Sequence, residues 1–226
     1  MTVARRRGIW RDVQDVPFHL PLAVDLGAVA LFAATGAMAA RQKHYDLVGA
    51  AALALVTGLG GALLRDGIFL QAGPPAALRD WRYLAAVLGG AAAGVLFARV
   101  LHRLRLVILL ADAVGLGLYG VYGAQQALKA DLPLLSAVLV GTVNAVGGGL
   151  LRDVLVRQEP LLFKPGQFYA LAAMAGCGAF VVVDVAARQP TPLAAAVGVA
   201  VTLVLRVGSI RLGWRTGALT EEPPGP

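Results

Sequence analysis

Residues 58–66 read Gly-Leu-Gly-Gly-Ala-Leu-Leu-Arg-Asp, and residues 145–153, 87 positions later, read Ala-Val-Gly-Gly-Gly-Leu-Leu-Arg-Asp. Six of the nine positions are identical, including an Arg-Asp pair set inside an otherwise apolar run. The same offset lays Asp25 on Asp112, Leu31 on Leu118, Gly36 on Gly123 and Ala37 on Ala124 without a gap. The chain is a duplication, and whatever one copy folds into, the other must fold into as well.

The surroundings of the motif say where it folds. Seven long apolar runs lie at about 20–40, 46–70, 82–101, 105–128, 132–156, 167–187 and 191–210. Short charged or Pro-containing stretches such as Arg41-Gln42-Lys43-His44, Lys129-Ala130-Asp131 and Arg188-Gln189-Pro190 separate them. At about 20 residues per helical span, seven spans use about 140 residues, and a chain of 226 has little left over. Hydrophobic residues make up 58% of it and charged residues 15%, against about 45–50% and about 25% in soluble domains. These figures exclude a disordered chain, a collagen-like one and a disulfide scaffold. They predict an all-α integral membrane protein with seven transmembrane helices. No stretch is long enough for a separate soluble domain, so residues 1–226 read as a single membrane domain.

At the 87-residue offset, spans one to three (about 20–101) and four to six (about 105–187) are copies, and span seven (about 191–210) is an addition. A unit with an odd number of spans inserts its second copy upside down. The expected architecture is a three-plus-three inverted repeat about a pseudo-two-fold axis in the membrane plane, as in many transport proteins, plus one C-terminal helix. The N-terminal Arg5-Arg6-Arg7 is followed by Asp12, Asp15 and Pro17 rather than an apolar core, so it does not read as a secretory signal. The tail 216–226 has nothing to bury and is expected to be disordered. The net charge of +7 comes from Lys and Arg between spans, where anchoring and topology explain it and no nucleic-acid partner is implied. Nine lie on the side of the N-terminus and eleven on the other. Setting aside Arg5, Arg6, Arg7 and Arg11 leaves five against eleven, which favours a cytoplasmic C-terminus.

The repeated motif has two physical readings. Glycine in a helix interior costs roughly 1 kcal/mol against alanine, so Gly60, Gly61, Gly147, Gly148 and Gly149 must be offset by something. Close helix packing through small residues is one possibility. A kink or break that turns backbone carbonyls toward a wet path is the other, and the paired placement in inverted copies favours it. Arg65, Asp66, Arg152 and Asp153 are costly at membrane depth and are expected to face protein or water. Sequence neighbours on a helix do not face each other, so each arginine is expected to pair elsewhere: Arg65 with Asp153 and Arg152 with Asp66, or with Asp112 and Asp25. Snorkelling to the interface is the bland alternative. Asp25 and Asp112 open the first span of each copy, as helix-dipole partners or as cation-attracting groups. Thr57, Thr142 and Asn144, one turn before the glycines, are candidate oxygen ligands or interhelical hydrogen-bond partners. His19, His44 and His102 have no metal-ligand spacing, no nucleophile–base or dinucleotide motif is present, and Cys177 reads as a small packing residue. The expectation is no enzyme, no catalytic residue, no metal and no cofactor.

Two copies of Gly-Gly-(Gly/Ala)-x-x-Arg-Asp, each preceded by a span opening with Asp, resemble the bacterial branch of the trimeric intracellular cation (TRIC) channel superfamily, whose bacterial members are often labelled glycine-transporter-domain proteins. Asp112-Ala113-Val114-Gly115, Gly147 through Leu155, Glu159-Pro160, Tyr169-Ala170 and Arg206 with Ile210-Arg211 are similar to the family pattern, and the likeness covers about residues 20–212. Ala28 and Ala62 depart from it by replacing expected glycines, so a break is expected in span five more than in span two. The resemblance implies a homotrimer in a bacterial inner membrane among lipids. It also implies a pore in each protomer lined by spans two and five with one and four, and passive, potassium-preferring flux. In that frame Arg65 and Arg152 gate or pair, and Asp25 and Asp112 attract cations. Two rivals remain: a carrier for glycine or a similar zwitterion held by broken helices, and a non-transporting scaffold.

Overall fold

The computed structural model describes residues 20–71, 74–98, 105–163 and 168–214. The tail 216–226, the Arg5–Arg7 cluster, His19 and His102 lie outside the described residues. Seven helices follow the apolar runs: α1 Leu22–Gln42, α2 Leu47–Leu64, α3 Trp81–Leu96, α4 Arg105–Lys129, α5 Leu134–Leu155, α6 Tyr169–Val181 and α7 Thr191–Leu212. There is no strand among the described residues. Counting the π-helical segments that extend α2 (Arg65–Leu70) and α6 (Val182–Ala186), six helices are long and apolar enough to cross a bilayer. The other, α3, has 16 described helical residues and is entered through a single turn, Ala76–Arg79. The chain is a multi-pass membrane protein.

The duplication is visible in the backbone. α1 ends at His44 and α4 at Asp131, 87 residues apart, both left-handed at φ 57° and 58°. In each case the next residue closes the helix end, Tyr45 N–H on Ala40 O at 3.0 Å and Leu132 N–H on Ala127 O at 3.1 Å. Such a left-handed cap satisfies carbonyls that the helix leaves open. Asp46 caps α2 by accepting from Gly49 N–H at 2.8 Å, and Asp80 caps α3 by accepting from Arg82 N–H at 3.0 Å. Arg82 also grips the Asp80 carboxylate and holds it below the ordinary aspartate range.

Within copy one, α3 lies on α1 through Gly90 and Gly94, where a Cβ would overlap the backbone oxygens of Ala30 and Ala34. Copy two closes differently. The added α7 packs on both α4 and α6, with Gly176 and Gly198 at the α6–α7 contact. On the other side of α6, Cys177 is buried against Gly120 and Gly141 of α4 and α5, a small packing residue as expected. Between lipid and protein there is no net hydrophobic drive for helices to associate, so tight small-residue contact is what holds such a bundle.

α2 and α5 cross at the centre of the inverted repeat. A Cβ on Gly61 would overlap the Asn144 carbonyl oxygen, and one on Gly148 would overlap that of Thr57. Built Cβ positions on Gly60 and Gly147 lie 3.2 Å from the Cα of Gly148 and Gly61, respectively. Because 57, 60 and 61 become 144, 147 and 148 at the repeat offset, this crossing is two-fold symmetric. The α-helical ladder runs unbroken through Gly60–Gly61 in α2 and Gly147–Gly149 in α5. The expectation that these glycines release backbone carbonyls is therefore corrected: the ladder is kept, and the missing Cβ atoms let two helix backbones touch. The irregular backbone comes after the glycines, at Arg65–Leu70, and in copy one rather than in span five.

Candidate functional site

Directly beside this crossing, α1, α2, α4 and α5 enclose a cavity of about 240 Å³. Its walls carry polar groups from both copies: Asp25, Thr57 and Arg65 from the first, and Asp112, Asn144 and Arg152 from the second. Gly61, Gly148 and Gly149 form part of its floor. Thr142 is not on the wall; its hydroxyl donates to Val138 O of its own helix at 2.8 Å. Gly60 and Gly147 back the helix crossing, and Asp66 and Asp153 stand behind their arginines.

Each arginine is neutralised by its sequence neighbour. Arg65 Nε and Nη2 donate to the two Asp66 carboxylate oxygens at 2.6 and 2.9 Å. Arg152 Nε and Nη2 reach Asp153 Oδ1 at 2.9 and 2.8 Å. The cross-copy pairs expected from the sequence are thus corrected. The rule that adjacent helix residues diverge concerns Cβ directions, and an arginine stem is long enough to fold back across that angle. Once paired, each guanidinium reaches over the pseudo-two-fold axis with its remaining donors. Arg65 Nη1 donates to Asn144 Oδ1 at 3.3 Å and its guanidinium lies 4.9 Å from the Tyr122 ring centre. Arg152 Nη1 donates to Thr35 Oγ1 at 3.3 Å. Tyr122 and Thr35 are 87 apart, so the two sides are the same design with different residues. Arg65 does not snorkel out, being 4% exposed; Arg152 is partly exposed, and its Nη1 is held by Thr35.

The two opening aspartates are also alike in placement and unlike in partners. Asp25 accepts from Tyr119 Oη at 2.8 Å and from Tyr83 Oη. Asp112 accepts from Tyr169 Oη at 3.4 Å, and the Arg206 guanidinium of α7 lies 4.8 Å over the Tyr169 ring. Neither acid is merely a helix-dipole partner, since both face the cavity. Asn144, which accepts from Arg65 of the first copy, is held within its own copy by donating from Nδ2 to Tyr119 O at 2.6 Å.

Four of the chain's five tyrosines (83, 119, 122 and 169) line this cavity, and sequence reasoning gave none of them a role. For Tyr119 and Tyr122 the signal available is a place in the middle of an apolar run, away from span ends where tyrosines anchor to the interface; Tyr83 and Tyr169 open their helices and carry no such signal. Arg206 belonged to the family pattern but carried no role; it reaches the cavity from the added helix. Among the described residues, no group of three or more His, Cys, Asp or Glu is placed to hold a metal.

The chain matches the family model described as Glycine transporter at residues 22–99 and again at 109–185, the two copies separately. It is 31% identical to the UPF0126 inner membrane protein YadS of Escherichia coli, over 83% of this chain and 90% of that protein. Among solved structures, it is similar to a TRIC cation channel (TM-score 0.83, 30% identity, 91% of this chain and 100% of that chain). It is likewise similar to the TRIC trimeric intracellular cation channel orthologue from Rhodobacter sphaeroides (TM-score 0.76, 33% identity, 85% and 98%).

Proposed function

The chain belongs to the glycine-transporter family within the TRIC superfamily, and from that premise we propose that it is a potassium-preferring cation channel with one pore in each protomer of a homotrimer. The observation that carries the reading is the cavity between α1, α2, α4 and α5, walled by Asp25 and Asp112. An arginine in a cation path raises its electrostatic barrier. Here Arg65 and Arg152 are each paired to an adjacent carboxylate, so that Asp25 and Asp112 outweigh the one remaining arginine on the wall, Arg206. The described similarity to a trimeric intracellular cation channel supports self-association, and YadS, an inner membrane protein, supports the bacterial inner membrane. The charge bias supports a cytoplasmic C-terminus.

The rival carrier for glycine rests on broken helices that present their ends to a carboxylate and an ammonium. Unbroken α2 and α5 at the glycines lend it no support. Purified protein in vesicles separates the readings. The channel gives potassium flux that is nearly linear in concentration, whereas a carrier gives saturable counterflow of labelled glycine. Counterflow without potassium flux would overturn the proposal, and neither would leave a scaffold.

A further inference from the structure

The inverted repeat makes the two ends of the cavity comparable group by group. α1 starts on the side of the N-terminus, so Asp25, Tyr83 and the Arg65–Asp66 pair belong to that end. By the two-fold relation Asp112, Tyr169 and the Arg152–Asp153 pair belong to the other. The arginine–aspartate pairs cancel each other between ends, and so do the tyrosine-held aspartates. What has no counterpart is α7, an addition outside the duplication. Its Arg206 is 1% exposed, lies over the Tyr169 ring and lines the cavity. Counting formal charges of these groups, the N-side end carries Asp25 and a neutral pair, net −1. The C-side end carries Asp112, a neutral pair and Arg206, net zero.

We infer that the added helix makes the passage electrically one-sided, with Arg206 cancelling the attraction of Asp112, so that cations move more easily from the N side to the C side than back. This rests on reading the chain as a cation channel. A fixed negative charge raises the cation population at its own mouth. One unit charge about 8 Å from an ion in a water-filled mouth changes that population roughly two- to threefold. The effect depends on salt, because the screening length falls from about 10 Å at 0.1 M to about 3 Å at 1 M.

The test is current–voltage recording in excised membrane patches, where every copy has one orientation and a C-terminal epitope assigns the side. In symmetrical KCl at about 0.01 M, where the screening length is about 30 Å, the wild-type current from N side to C side should exceed the reverse roughly twofold. Raising KCl to about 1 M should bring the ratio toward one. Asp25→Asn should give a straight relation with smaller current, and Arg206→Gln a straight relation with larger current. The double variant should reverse the sense of rectification, while Arg206→Lys should keep that of the wild type. A straight wild-type relation at low salt, or an Asp25→Asn channel that rectifies as before, overturns the inference. If Arg206→Gln does not fold, Asp25→Asn and the salt series decide alone. A wild-type protein that passes no cation current overturns the channel reading and the inference with it.

Discussion

Replacing Gly61 or Gly148 with alanine tests what the repeated glycines are for. Each new Cβ would overlap a backbone carbonyl oxygen of the opposite helix, Asn144 O for Gly61 and Thr57 O for Gly148. A backbone oxygen cannot rotate out of the way, so α2 and α5 must move apart along the whole crossing. Overpacking of this kind costs about 1–3 kcal/mol, with a backbone obstacle at the upper end, and alanine returns about 1 kcal/mol of helix propensity. The net loss for either variant is about 2 kcal/mol, a shift of roughly thirtyfold in the folded-to-unfolded ratio. The control is Gly89→Ala in α3, where nothing lies within 4 Å of the added Cβ; it should be neutral or stabilising by up to about 1 kcal/mol. Because one separation of the helices relieves both clashes, Gly61→Ala/Gly148→Ala should cost clearly less than the sum of the two singles. Reversible unfolding in detergent, read by circular dichroism or tryptophan fluorescence, measures all four. A Gly61→Ala protein as stable as wild type, or strict additivity in the double variant, would refute the reasoning.

Asp66→Asn leaves Arg65 without its bidentate partner at 4% exposure, and breaking a buried pair from one side should destabilise by about 3–5 kcal/mol. The same unfolding assay should show that the neighbour exchange Arg65→Asp/Asp66→Arg recovers more of that loss than the cross-copy exchange Arg65→Asp/Asp153→Arg. His44→Gly should raise stability by about 1 kcal/mol, since a left-handed backbone costs an L-residue about 1–2 kcal/mol and glycine almost nothing; Asp131→Gly should gain less, because aspartate tolerates that region better. The Asp80 carboxylate titrates below its usual range through Arg82. Its support of the α3 cap is therefore present above the unfolded-state pKa of about 3.9 and is lost as pH falls through the lower folded value. Carbon-detected NMR should place the Asp80 midpoint below that of an exposed aspartate, and Arg82→Gln should move it up.

Seven helices and their inverted arrangement were legible because few constraints act on an apolar run of this length. A bilayer demands helices of about 20 residues, and an odd-numbered duplicated unit can only invert. The observed α2 with its π-helical extension, 47–70, sits within a residue of the run at 46–70. The site was legible in part. Asp25, Asp112, Arg65, Arg152 and Asn144 share one cavity because polar groups in apolar runs have nowhere else to go. The partner choice was not legible. Whether Arg65 turns to Asp66 or crosses to Asp153 depends on side-chain reach, which spacing does not encode. Tyr83 and Tyr119 meet Asp25 across 58 and 94 residues of chain, and Tyr83 is one position off the repeat register of Tyr169, so the duplication did not flag them as equivalents. Of the two readings given to the glycines, the close contacts at Gly61 and Gly148 support packing; the sequence favoured the other because close approach and helix opening leave the same mark in it.

The helix crossing at Gly61 and Gly148 also explains what is gained by joining the copies in one chain. Two identical three-helix proteins meeting on the same axis would be obliged to present the same residue twice at every facing position. Covalent fusion lifts that obligation. Position 57 is threonine, bonded to its own helix, while its counterpart 144 is an asparagine bridging Arg65 and the Tyr119 backbone. Likewise threonine 35 accepts a hydrogen bond where tyrosine 122 offers a ring. The shared backbone contact keeps the halves in register while the side chains around it specialise separately.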